Sequence, residues 1–216
     1  MVRYSEIIKE EYESYENRIE KNRQLRIRVT SELSKYYDLK PFNKISISDG
    51  KVDFVKGNVT TKKGITELPD VGFYEIDKDF FVNNTNLKNL INSPIKVGGG
   101  MNVFDNLELE SLEGLPTEIG DVLNIMNCPK LKSLEGLEAK SNITHVLLSY
   151  LSTLPMLRLL LVKNFITFLS GADNTKNIED ILNKYIRNKD MQLYEKQMRC
   201  QHELLEYPEY RLNAEW

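Results

Sequence analysis

One period governs the middle of this chain. The motif apolar-x-x-Leu occurs at Ile65-Thr-Glu-Leu68, Leu87-Lys-Asn-Leu90, Leu109-Glu-Ser-Leu112 and Leu131-Lys-Ser-Leu134. Each step, 65 to 87 to 109 to 131, is 22 residues, and a fifth copy, Leu151-Ser-Thr-Leu154, follows after 20. Other positions keep the register: Pro94 with Pro116, Val97 with Ile119, and Gly98 with Gly120. A supersecondary unit this short cannot bury an apolar stripe alone, whereas stacked units share one continuous core. The repeat therefore predicts a solenoid, and its atypical first and fifth copies are the ones expected at capped ends.

Within each unit lies an alternating apolar pair, Met101-x-Val103 and Leu123-x-Ile125, aligned one unit earlier with Asp79-x-Phe81 and before that with Gly57-x-Val59. Alternation over so few residues reads as a short strand with one buried face. Three residues beyond the second position stand Asn84, Asn106 and Cys128, with Lys62 in the first copy. That column matches the Asn/Cys position of the leucine-rich-repeat pattern. A small side chain there can meet the backbone groups freed where each coil turns, which makes Cys128 a ladder residue rather than a nucleophile.

Helical segments are expected on both sides. Ile8, Tyr12, Tyr15 and Ile19 fall at helical spacing within 3–37, a stretch without Gly or Pro. This segment would cover the open first coil. Its basic cluster, Lys21, Arg23, Arg26 and Arg28, follows the acidic Glu10, Glu11, Glu13 and Glu16, and so reads as a solvated face with internal ion pairs rather than a phosphate site. After Gly171, with a capping residue among Asp173, Asn174 and Thr175, the set Ile178, Ile181, Leu182, Tyr185 and Ile186 predicts a helix, and a second runs from Met191 to about Glu206. The expected fold class is α+β: a short leucine-rich-repeat-like solenoid of about five coils of roughly 22 residues with helical N- and C-terminal caps. Its divisions are a helical segment at 1–40, the solenoid at 41–170 and a helical cap at 171–216.

Charge and chemistry narrow the function. A formal charge of -3 and a pI near 5.6 supply no global attraction for nucleic acid or an anionic membrane. The apolar stretch from His145 to Gly171 is broken by Pro155, Arg158 and Lys163, too soon for a membrane span. The N-terminal sequence has no secretory pattern, and the two distant cysteines fit a reducing compartment, so a cytoplasmic location is expected. The sequence contains no phosphate-loop, zinc-protease or nucleophile-elbow motif, and its two histidines, His145 and His202, fall on expected structural segments. No catalytic residue, cofactor or metal site is assigned, and the leading expectation is a protein-binding module. If Met101 and Val103 point inward, alternation turns Asn102 and Phe104 outward, and likewise Phe80 and Val82, then Asn124 and Met126. These six residues form the expected protein-binding face, unless the N-terminal helix packs over it.

The units GLPTEIGDVLNIMNCPKLKSLEGL and the tail MRCQHELLEYPEYRLNAEW, with Cys200-Gln201-His202-Glu203-Leu204, resemble leucine-rich-repeat-like proteins of large T-even-like tailed bacteriophages. The likeness runs from about residue 57 to the end and leaves the N-terminal helical segment outside. It implies a protein made in the cytoplasm of an infected bacterium and directed at a bacterial host protein. The alternative is a structural or assembly component of the phage particle, with the amphipathic ends mediating self-association.

Overall fold

The computed structural model describes residues 4–40, 44–48, 51–70, 73–137, 143–149, 154–168 and 175–207. A 30-residue helix, α1 (Tyr4–Leu33), leads into an antiparallel hairpin, β1 (Lys44–Ser48) and β2 (Lys51–Lys56), and then into the coils. The chain is α+β: a β-solenoid of about five turns with helices at both ends.

Each complete coil contributes one strand to each of two sheets, in which successive coils pair in parallel. One joins β1 and β2 to β4 (Phe73–Ile76), β6 (Lys96–Val97) and β8 (Glu118–Ile119). The other runs from β3 (Val59–Thr60) through β5 (Phe80–Phe81), β7 (Met101–Asn102), β9 (Val122–Ile125) and β10 (His145–Leu148) to β11 (Phe165–Phe168). The apolar-x-x-Leu segments close the third side: Leu87, Leu90, Leu109, Leu112, Leu131 and Leu134 are all buried, and Ile65 packs partly buried against them. Of the fifth copy, Leu154 is buried and Leu151 lies outside the described residues. Only the six-stranded sheet was expected. The first sheet went unread because β6 and β8 are two residues long and bury one side chain each, Val97 and Ile119.

Between the two sheets the chain turns on glycine because neighbouring coils touch there. A Cβ on Gly120 would run into the carbonyl of Gly98, and one on Gly98 into that of Asp77. The small-residue column inside the opposite turn is Thr85, Asn106 and Cys128, all buried. Asn106 Oδ1 accepts from the Thr85 backbone N–H and hydroxyl at 2.7 Å each, and its Nδ2 donates to the carbonyls of Val82 and Val103. Cys128 Sγ donates to the Val103 carbonyl at 3.3 Å, and burial pushes its thiol up to about 11. Asn84, expected in this column, instead stands exposed at the adjacent turn with φ +56°. Asparagine tolerates the left-handed region better than most residues.

Both ends are closed by side chains suited to the task. The last turns of α1 and the turn after it bring Val29, Leu33 and Tyr37 into the core, and the Tyr37 ring lies 4.9 Å from that of Phe73 and 6.3 Å from that of Phe80. At the other end α2 (Lys176–Arg187) packs on β11 and on a 3-10 helix at Met156–Leu161. Asn183 there acts as a strand would: its Oδ1 accepts from the Ile166 N–H at 2.8 Å and its Nδ2 donates to the Ile166 carbonyl at 2.9 Å. Glu179 accepts from the Phe168 N–H at 2.8 Å. The outer edge of the sheet is thereby paired rather than left open to another chain. The helix α3 (Leu193–Leu204) follows, tied to α2 by a Lys184–Glu203 ion pair of 2.7 Å and by buried Cys200, whose thiol burial pushes up to about 12. Of the three capping candidates, Asp173 and Asn174 lie outside the described residues, and Thr175 makes no capping hydrogen bond to α2.

Candidate functional site

Strand pairing settles which residues face out. The buried row of the six-stranded sheet is Val59, Phe80, Met101, Leu123, Val146 and Ile166, at spacings of 21, 21, 22, 23 and 20 residues. The next position along, turned the other way by the pleat, gives the outer row Thr60, Phe81, Asn102, Asn124, Leu147 and Thr167.

This corrects part of the expected face. Phe80 and Val82 are fully buried core residues. A uniform 22-residue step would set Phe81 beside Val103, whereas the sheet pairs Phe80 with Met101 and Phe81 with Asn102. A slip of one residue exchanges the two faces of a strand, so the misalignment placed both side chains on the wrong side. Asn102, Phe104 and Met126 are half-buried at the outer surface, and Asn124, although turned outward, is largely covered by its neighbours.

Two residues of the face were missed. Phe81 was hidden by the identity of its neighbour Phe80, and Leu147 by the 23-residue step from Leu123 to Val146. The resulting surface has Phe81 at one side and Leu147 at the other, with the asparagine pair between them. Asn124 Nδ2 donates to Asn102 Oδ1 at 3.5 Å, and Asn124 Oδ1 accepts from the Met126 N–H at 3.2 Å. Just past the strand ends, Phe104 and Met126 continue the same offset.

A second row, Val122, His145 and Phe165, borders the face on its other side. The His145 ring packs against that of Phe165, with centroids 3.8 Å apart and planes tilted by 36°, and its Nε2 meets Thr167 Oγ1 at 3.0 Å. Burial lowers the pKa of this histidine, which favours the neutral ring. Asp105, Asn127 and Ser149 form a polar rim: Asn127 Nδ2 donates to Asp105 Oδ1 at 2.8 Å, and the Asn127 N–H donates to Ser149 Oγ at 3.0 Å.

Beside Phe81 the surface deepens into a cleft of about 430 Å³ lined by Lys40, Lys44, Lys56, Lys78, Asn58 and Thr60. The apolar face thus borders a cationic recess. The helix α1 does not bury the face: Phe81, Asn102, Phe104, Met126 and Leu147 all keep partial exposure, while the α1 residues that are buried join the first coil. No helix among the described residues is long and apolar enough to cross a membrane. Comparison of the chain with protein-family models, curated proteins and solved structures gives no match.

Proposed function

We propose that this chain is a non-enzymatic protein-binding module whose partner docks on the outer face of the six-stranded sheet. The observation that carries the reading is the grouping of Phe81 and Leu147, on the outer row of the sheet, with Phe104 and Met126, just past its strand ends, all partly exposed around a pair of hydrogen-bonded asparagines. Aromatic and methionine side chains with a few oriented polar groups are the composition that protein interfaces favour. A regular sheet also presents them without the entropy loss of ordering a loop. The cationic cleft beside Phe81 suits a partner with acidic side chains at that side of the contact.

His145 has a packing role in this reading, held between Thr167 and Phe165. The resemblance to leucine-rich-repeat-like phage proteins extends the proposal to a bacterial host protein as the partner, engaged in the cytoplasm.

The test is affinity capture from bacterial lysate with the wild type and the triple variant F81S/F104S/M126S, both verified as folded by circular dichroism. It is followed by titration with the purified captured protein. The expected result is one retained protein whose affinity falls by about a hundredfold or more in the variant, as for loss of several anchors. Undiminished binding by the folded variant would place the contact elsewhere.

A further inference from the structure

The helix α1 is longer than its capping role requires. Val29 and Leu33 are buried against the first coil and Leu25 is half-buried, but residues 15–24 are all exposed, including Tyr15 at 52% and Ile19 at 49%. The same helical spacing resumes beyond the solenoid, past the polar Asn22 and Arg26. Ile8, Tyr12, Tyr15, Ile19, Asn22, Arg26, Val29 and Leu33 succeed one another at alternating steps of four and three residues, the spacing of a coiled-coil seam. The C-terminal end of this seam is satisfied by the core, whereas Tyr15 and Ile19 stand exposed to solvent.

We propose that residues 5–22 of α1 pair with the same residues of a second copy of this chain, antiparallel, to form a dimer. The flanking charges decide between orientations. With Tyr12 and Ile19 at position a and Ile8 and Tyr15 at position d, Lys9 and Glu16 occupy e and Glu11 and Arg18 occupy g. A parallel pair would set Glu11 against Glu16 of the second copy and Arg18 against Arg23, both repulsive.

In the antiparallel pair the layers are Ile8 with Ile19 and Tyr12 with Tyr15, each occurring twice by symmetry. Lys9 then faces Glu16 and Glu11 faces Arg18, and every one of these flanking pairs is attractive. The apolar layers end on both sides in the polar layer Ser5 with Asn22, which penalises a shifted register. The fit in length agrees as well. In this register Tyr4, the first residue of the second helix, stands opposite Arg23, just short of Leu25 where α1 first meets its own solenoid, so the two solenoids lie at opposite ends of the paired segment. The dimer presents two copies of the sheet face.

Sedimentation of the full chain from micromolar to near-millimolar concentration should show a monomer–dimer equilibrium, and I8E/I19E should sediment as a folded monomer. E11R replaces two attractions with two repulsions in the antiparallel pair, but turns two repulsions into attractions in the parallel one. It should weaken the dimer by about tenfold. Under oxidation, a mixture of I8C and I19C chains should cross-link, whereas each alone should not, because like positions lie about 16 Å apart along the axis. The native Cys128 and Cys200 are buried and do not compete. A wild type that stays monomeric, a dimer unaffected by I8E/I19E or strengthened by E11R, or an I8C chain that links to itself would each overturn the proposal.

Discussion

Asn106 offers a quantitative test of how the coils are joined. Its side chain is fully buried and makes four hydrogen bonds that bridge two successive coils, to the Thr85 N–H and hydroxyl and to the carbonyls of Val82 and Val103. In Asn106→Ala the Thr85 N–H and the Val82 carbonyl lose this partner in a site closed to solvent, while Val103 keeps the Cys128 thiol. A stranded buried polar group costs about 1–3 kcal/mol, so the two together, with the small cavity, should cost about 4 kcal/mol. That is a large share of the roughly 5–15 kcal/mol that holds a domain folded.

Asn106→Asp conserves shape and the bonds to Thr85, but turns an oxygen, and a buried charge, toward two carbonyl oxygens. It should be at least as destabilising as alanine. Thr85→Val, which removes only the hydroxyl, should cost about 1 kcal/mol. Urea titrations followed by circular dichroism, with unchanged slopes, give these differences directly. An Asn106→Ala variant within about 1 kcal/mol of the wild type, or an aspartate milder than alanine, would refute the bridging role.

Three further outcomes follow from buried groups. Tyr37 closes the first coil, yet its hydroxyl has no hydrogen-bond partner among the described residues, so Tyr37→Phe should leave the melting temperature unchanged or raise it, while Tyr37→Ala should cost about 3–5 kcal/mol. Cys128 and Cys200, with pKa values raised to about 11 and about 12, should not react with a thiol reagent at pH 8 until the chain unfolds; fast labelling of the native protein would contradict their burial. His145 has its pKa lowered by burial, so protonation favours the unfolded chain. Its contribution is present above the ordinary histidine range and is lost as pH falls through the lowered value, so the wild type should lose more melting temperature between pH 7.5 and 5.5 than His145→Asn does.

The sequence revealed the core more readily than the surface. The leucines of the apolar-x-x-Leu segments were legible because their side chains interlock from coil to coil and therefore keep a strict step. The strands tolerate steps from 20 to 23 residues, since the turns absorb the difference, and one residue is enough to exchange buried and exposed faces. Hence Met101 and Leu123 were placed correctly while Phe80 and Val82 were not. Asn106 and Cys128 were recognisable by residue type; Thr85 was obscured by two adjacent asparagines, Asn83 and Asn84, in the same turn. The first sheet left almost no pattern because its middle strands bury one residue each. End closure was legible only as helical periodicity. That Asn183 pairs with the backbone of Ile166 depends on where α2 docks, which no local pattern encodes.

The amide of Asn183 impersonates a peptide group, and this makes the size of the protein an adjustable quantity. A stack of parallel coils has no intrinsic reason to terminate, and each new coil offers the next one the same template. Termination is a separate instruction, written in a single helix that supplies counterfeit backbone to the last strand. A chain with one coil more or fewer between Leu87 and Leu134 should therefore still close, provided the helix carrying Asn183 remains next to the last strand.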